Sequence, residues 1–143
     1  MSYSIKSYME KEVQTISGEV TITQAAKAMT EKQSSYLIIL QEGKPTGIVT
    51  ERDFVNKVIA EEIDPTTTNV VNIMTTPLIT VDPDEDLLKA SEIMRKHGVK
   101  KLPVVRNEII YGIITAEDIA NKCGTYVDKT IKDIIRWTAP LGI

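Results

Sequence analysis

The sequence predicts an α/β fold built from two β-α-β-β-α units in tandem. Two observations carry that prediction: the chain repeats itself on a period of 65 residues, and each copy alternates strand-type and helix-type patterning in the same order. Composition supports it, because 143 residues that are 42% hydrophobic and 26% charged make an ordinary globular chain, long enough for one core or two small, intimately packed ones.

The repeat is read directly from the residues. A shift of 65 aligns the halves without a gap and pairs Met9 with Met74, Thr15 with Thr80, Ala25 with Ala90, Met29 with Met94 and Leu37 with Leu102. It also pairs Gly47 with Gly112, Ile48 with Ile113, Thr50 with Thr115, Asp53 with Asp118, Asn56 with Asn121 and Lys57 with Lys122. Average composition would give roughly four such identities by chance. Apolar exchanges such as Ile16/Val81, Ile39/Val104 and Val49/Ile114 keep the hydrophobic pattern in register.

Each element then follows in order. A short apolar segment, Val13 to Ile16 or Leu78 to Val81, precedes Ser17-Gly18-Glu19 or Asp82-Pro83-Asp84, turn residues that suit a helix start. Helical spacing runs through Gln24 to Lys32 in the first copy and from Leu87 to His97-Gly98 in the second, where glycine is placed to cap. Two apolar runs around a turn come next, Tyr36 to Leu40 with Thr46 to Val49, and Leu102 to Val105 with Ile109 to Ile114, which are hairpin signals. A second helix begins near Glu51 and near Ala116. The resulting division is repeat 1 over 1–62, a linker over 63–69 containing Pro65, repeat 2 over 70–124 and a tail over 125–143. Within the tail, Thr130 to Ile135 is similar to the lead-in segments Ser4 to Met9 and Asn69 to Met74, and Ile134 and Trp137 are expected to pack onto the body.

Several function classes are argued against at this point. A formal net charge of -3 does not suit a broad phosphate-binding face, so nucleic acid is a minor alternative. Cys123 and His97 are each the single residue of their type, so one chain cannot assemble a disulfide, a Cys/His metal cluster or a histidine-containing triad. No apolar stretch approaches the roughly 18 residues needed to cross a membrane, and a cytoplasmic location is expected.

The feature closest to chemistry is Gly47-Ile48-Val49-Thr50-Glu51-Arg52-Asp53, repeated as Gly112-Ile113-Ile114-Thr115-Ala116-Glu117-Asp118. A strand ends, a threonine sits at the turn, and an aspartate follows three residues later in the first turn of a helix. Thr-x-x-Asp at that place has a structural reading as a capping box. It also has a functional one: helix N–H groups and a hydroxyl can receive a phosphate, and a carboxylate can accept from both hydroxyls of a ribose.

The tandem β-α-β-β-α unit, the Leu102-Pro103-Val104-Val105 strand and the two Gly-x-[Val/Ile]-Thr-x-x-Asp motifs resemble the CBS domain family over about nine-tenths of the chain. The resemblance implies two repeats packed sheet to sheet as a pseudo-twofold pair, a Bateman module, with helices outside. It implies a regulatory, non-catalytic module that dimerises and binds an adenosyl ligand (AMP, ADP, ATP, S-adenosylmethionine or NAD) in the cleft between repeats, with no obligatory cofactor. By position, Asp53 and Asp118 would hold ribose, Thr50 and Thr115 phosphate or ribose, and Thr15 and Thr80 would border adenine. Ser35-Tyr36-Leu37 and Lys100-Lys101-Leu102-Pro103 would line the site. The first copy departs from the pattern, with Ile38 where the second has Pro103 and Tyr36 where the second has Lys101, so equal use of the two sites is not expected.

Lys100, Lys101 and Arg52 are candidates to neutralise a phosphate, although singly each also reads as a solvated charge. His97 reads as a helix-end residue favourable to the dipole, Cys123 as packing, and the repeating methionines as core filling. Phe54, Val55, Val58 and Ile59, with Ile119 and Ala120, give the motif helices more apolar surface than one buried stripe needs, which predicts a homodimer. Other classes are a structural interaction module with empty clefts, its regulated protein partner unspecified, and a nucleic-acid binder using Lys100 and Lys101.

Overall fold

A computed structural model describes residues 3–122. They form an α/β protein with two small sheets, one of three strands and one of two. In chain order the elements are α1 (Ile5–Tyr8), β1 (Thr15–Ser17), α2 (Ile22–Lys32), β2 (Tyr36–Gln41), β3 (Lys44–Thr50), α3 (Glu51–Asp53), α4 (Leu87–His97), β4 (Lys101–Arg106), β5 (Ile109–Thr115) and α5 (Ala116–Lys122). A π-helical stretch, Phe54–Ile59, continues α3, and a 3-10 turn spans Val70–Asn72.

The packing units are offset from the sequence period. One unit is Val13–Leu78; the other joins the chain up to Glu12 with the chain from Ile79 onward. We call them the repeat-1 and repeat-2 units. Each has its own core. In the repeat-1 unit Ile22, Ala25 and Met29 of α2 pack with Leu37, Ile39, Val49, Val58, Val70 and Ile73. In the repeat-2 unit Leu87, Ala90 and Met94 of α4 pack with Leu102, Val104, Ile114 and Ile119, and Ile5 fills the place that Val70 fills in the other. Each lead-in segment is therefore held by the repeat that does not follow it.

Glycine makes that docking possible. Glu10 bridges Ile113 and Thr75 bridges Ile48, each beside the motif glycine. A Cβ on Gly112 would lie 2.6 Å from the Glu10 carbonyl and 2.8 Å from Met9 Sδ, and one on Gly47 would lie 2.6 Å from Met74 Sδ and 2.9 Å from the Thr75 carbonyl. The recurring Met9 and Met74 thus pack on the recurring glycines.

The helices begin later than the turn residues suggest. In α2 the cap is Thr21, in a reciprocal capping box with Gln24 (Thr21 N–H to Gln24 Oε1 2.8 Å, Gln24 N–H to Thr21 Oγ1 3.1 Å). In α4 it is Asp86, which accepts from Lys89 N–H at 2.9 Å. Ser17–Glu19 and Asp82–Asp84 instead turn the chain: Glu19 N–H donates to Ser17 Oγ at 3.2 Å and Asp84 N–H to Asp82 Oδ1 at 2.9 Å. Gly98 closes α4 in the left-handed conformation (φ 64°), as expected, and Gln33 does so for α2 (φ 51°). His97 stands exposed in the last turn of α4 with Arg95 and Lys96.

Both hairpins form, on two-residue turns with positive φ, Glu42-Gly43 and Asn107-Glu108. The expected second lead-in strand over 78–81 does not: Val81 makes one parallel bridge to Val104, whereas β1 pairs with β2 over three positions. The reason is proline. The bonds Ile38 N–H to Gln14 O (2.9 Å) and Gly18 N–H to Leu40 O (2.8 Å) flank the β1 ladder. At the matching positions Pro103 and Pro83 have no N–H to donate. The expected packing of Ile134 and Trp137, and the residue Cys123, lie outside the described residues.

Candidate functional site

In each unit the motif lies where the last hairpin strand runs into a helix. Antiparallel pairing sets Tyr36 opposite Thr50 and Lys101 opposite Thr115. Parallel pairing sets Thr15 beside Ile38, and Val81 N–H donates to the Pro103 carbonyl at 3.0 Å. The fold therefore gathers Tyr36, Thr50 and Asp53 at one sheet end of the repeat-1 unit, and Lys100, Lys101, Thr115 and Asp118 at the same end of the repeat-2 unit.

In the repeat-1 unit the aspartate is buried and fully engaged. Asp53 Oδ2 accepts from Thr50 N–H at 2.8 Å and from the Thr50 hydroxyl at 3.3 Å. Its Oδ1 accepts from the Thr75 hydroxyl at 3.0 Å and pairs with Lys57 Nζ at 2.9 Å. Lys57 Nζ also donates to the Ile73 carbonyl at 3.1 Å. Tyr36 is buried, its hydroxyl accepting from Gln14 N–H at 3.2 Å, while Arg52 is exposed and Ser35 half-buried. Ser35 borders an open depression of about 460 Å³ shared with Met29, Gln33, Glu51 and Phe54. The Thr15 carbonyl accepts from Lys32 Nζ at 3.1 Å.

In the repeat-2 unit the threonine hydroxyl accepts Asp118 N–H at 2.9 Å, the bond that the Thr50 hydroxyl also takes from Asp53 N–H in the repeat-1 capping box. Lys100 and Lys101 are half-buried beside it, and the Lys100 carbonyl receives Ala116 N–H at 2.9 Å, which fixes the lysine pair against the start of α5. Thr80 is half-buried and Pro103 buried. Leu37 and Leu102 are 0% exposed and belong to the two cores.

Two residues on this list escaped the sequence reading. Lys57 had a signal, an Asp-x-x-x-Lys spacing that places opposite charges one helical turn apart, and its recurrence as Lys122. Thr75 had none, because it belongs to a lead-in segment whose packing partner the period does not reveal.

The motif helices also explain the apolar surface. Ile119 is fully buried, Val58 buried and Phe54 half-buried, so the exposed apolar positions are Val55 (54%) and Ile59 (71%), with Ala120. Phe54, Val58 and Ile59 line an apolar groove of about 590 Å³ with Ile22, Ala26 and Pro65. Among the described residues no helix is long and apolar enough to cross a membrane.

Comparison with known proteins places this geometry. The CBS domain model matches residues 5–60 and again 70–124. The CBS domain-containing protein YhcV of Bacillus subtilis is 31% identical over 117 residues, 82% of this chain and 83% of that protein. A homoserine O-acetyltransferase from Methanohalobium evestigatum is 33% identical over 81% of this chain, which spans only 23% of that protein's length. Among solved structures, the CBS domain protein TA0289 of Thermoplasma acidophilum superposes with a TM-score of 0.84 at 20% identity, covering 99% of this chain and 79% of that one. The CBS domain pair of protein MJ0100, in complex with 5-methylthioadenosine and S-adenosyl-L-methionine, superposes with a TM-score of 0.77 at 29% identity over 89% of this chain and 100% of that one. Two matched domains, two sheets and a duplicated Thr-x-x-Asp turn thus agree: the chain belongs to the CBS domain family, as a tandem CBS pair.

Proposed function

We propose that this CBS pair is a cytoplasmic regulatory sensor for an adenosyl ligand, one of AMP, ADP, ATP, S-adenosylmethionine and NAD, and that Thr115 and Asp118 with Lys100 and Lys101 carry the binding. The supporting observation is the start of α5: a threonine-capped helix end with an aspartate in its first turn stands beside two half-buried lysines. Helix N–H groups and ammonium groups suit phosphate or carboxylate, and a carboxylate suits a ribose diol. The MJ0100 pair, similar over most of this chain, was solved with two adenosyl compounds. Thr80 and Pro103 complete the site by position, and Thr15, Ser35, Tyr36, Thr50, Arg52 and Asp53 form its counterpart in the repeat-1 unit. A regulatory rather than catalytic role fits a module that matches less than a quarter of a far longer enzyme.

Thermal unfolding against AMP, ADP, ATP, GTP, S-adenosylmethionine and NAD tests the reading. A native-state ligand at a hundredfold excess over its Kd adds about 2.7 kcal/mol, which raises the midpoint by several degrees. No shift with any of them at millimolar concentration refutes it. The groove beside Val55 and Ile59 supports a homodimer, and sedimentation at monomer mass at tens of micromolar protein would exclude one.

A further inference from the structure

We infer that the outer edge of β5, from Ile109 to Tyr111, is a contact between copies of this chain, two β5 strands pairing antiparallel about Ile110. This contact is independent of the ligand and of the groove proposed above. The ladder shows where the edge is open. Val105 N–H donates to the Val81 carbonyl at 3.0 Å, away from β5, so Val105 and Ile110 face each other at an unbonded rung of their antiparallel pair. Ile110 therefore turns its N–H and C=O away from β4, and among the described residues no other element bonds to them. Its neighbours are apolar and exposed, Ile109 at 59% and Tyr111 at 41%.

The repeat-1 unit carries the same hairpin with its edge guarded. The corresponding residues of β3 are Lys44, Pro45 and Thr46, and both hairpins have a register shift at the same place, so the bulge does not distinguish them. Pro45 stands at the open rung, opposite Leu40, with no N–H to offer. Lys44 precedes it, and the Thr46 carbonyl accepts the Thr76 hydroxyl at 3.1 Å. Proline and lysine on an outer strand block strand addition. β5 has neither, and carries a branched and an aromatic side chain around the open rung instead.

The opening fits a second copy by length and by sequence. On one side it is bounded by the lead-in, where Glu10 and Ile113 exchange backbone bonds at 2.8 and 2.9 Å, and on the other by the turn Asn107-Glu108. A strand laid antiparallel on this edge must end soon after it passes Tyr111, because a longer one meets the lead-in. β5 of a second copy ends there. With the two Ile110 residues opposite each other, Tyr111 faces the partner's Ile109, and the partner's chain then turns. The twofold arrangement makes this aromatic-to-branched pair twice and adds two N–H to C=O bonds between the Ile110 residues. So small a contact lies far below a standard interface, and the pairing is weak and depends on protein concentration.

A triple variant, Ile109→Lys with Ile110→Pro and Tyr111→Thr, gives β5 the guard of β3, residues that the matching hairpin already carries in the same register. At millimolar protein the wild type is expected to sediment at a higher average mass than this variant, and at tens of micromolar the two should converge. Equal masses throughout overturn the contact. Should the variant not fold, amide exchange on the wild type decides. Ile110 N–H is expected to exchange severalfold more slowly at millimolar than at micromolar protein, while Ile113 N–H, held by Glu10, keeps one rate. An Ile110 amide with one rate at both concentrations overturns the pairing. If the edge instead serves a strand of another protein, masses are equal and that rate is constant, and self-pairing falls.

Discussion

The two units solve one problem by different physical means. Both must hold a short lead-in strand and the turn after it against a hairpin. In the repeat-1 unit the backbone does this, with three paired residues in β1 and flanking bonds from Ile38 and Gly18. In the repeat-2 unit Pro103 and Pro83 remove those donors, and side-chain charge replaces them. Arg106 on β4 grips Asp82 with Nε at 3.1 Å and Nη2 at 2.6 Å. It also pairs with Asp84, which holds Lys6 of α1 at 3.0 Å. The corresponding residues of the repeat-1 unit, Ser17, Glu19 and Gln41, form no such clasp; Gln41 accepts instead from the Thr46 hydroxyl at 2.6 Å. A sheet edge tied by amide bonds is indifferent to pH and salt, whereas one tied by exposed ion pairs is not.

The same division of labour separates the motifs, and the largest expected effect lies there. Asp118→Asn weakens charge-assisted bonds worth about 1.5–3 kcal/mol, so affinity for the best adenosyl ligand should fall roughly ten- to a hundredfold while the fold survives. Asp53→Asn should weigh the other way, lowering the unfolding midpoint more and affinity less. Calorimetry on both variants checks the pair, and equal affinity losses would erase the distinction between the units.

Next comes the glycine contact. Overpacking typically costs about 1–3 kcal/mol, and Gly112→Ala should stand at the upper end because its new Cβ meets a backbone oxygen at 2.6 Å. Gly47→Ala should cost less, since the atom at 2.6 Å is a methionine sulfur on a flexible side chain. Urea unfolding compares them; equal costs would show that the lead-in backbone yields as readily as the sulfur.

A smaller effect distinguishes the clasp. Hydrogen bonds from Arg106 hold the Asp82 and Asp84 carboxyls below their ordinary value of 3.8, helped at Asp82 by the Asp84 N–H and at Asp84 by Lys6. Groups with depressed folded values contribute stability that is present above the ordinary value and lost as pH falls through the folded one. Between about pH 5 and about pH 2, Arg106→Gln should therefore lose less of its stability than the wild type does, from a lower starting point. Parallel acid-unfolding curves would exclude the clasp as a contributor.

The smallest change is local. Pro103→Ile gives the repeat-2 unit the amide that Ile38 has, able to donate to the Ile79 carbonyl. Amide exchange should find that proton protected like the one on Ile38. Fast exchange at position 103 would mean that Pro83 alone keeps the strand short.

Much of this was legible in the residues because the repeat doubles every signal. Both hairpins, both long helices and both motif turns stand where alternation and helical spacing put them, and the apolar pairs Ala25/Ala90, Met29/Met94 and Leu37/Leu102 are core in both units. The caps are the part that differs, because Ser17 and Asp82 are cap residues by type and Thr21 and Asp86 are too; only backbone geometry decides between neighbouring candidates. The strand over 78–81 was misjudged because its apolar pattern matches Val13 to Ile16, while the missing donors sit on its partner strand and in the turn behind it.

The sequence by itself determined the class of the fold, the tandem repeat, the family and the two Thr-x-x-Asp turns, since each follows from short-range spacing and from a period that survives in the residues. The tertiary structure alone decided which repeat each lead-in segment packs on, and so that Thr75 stands beside Asp53. Thr75 reaches Asp53 and Glu10 takes the matching place because the lead-ins dock on the motif glycines of a unit assembled from distant stretches of chain. A period records which residues correspond; it carries no information about which corresponding surfaces meet, because that depends on the three-dimensional path of the chain between them.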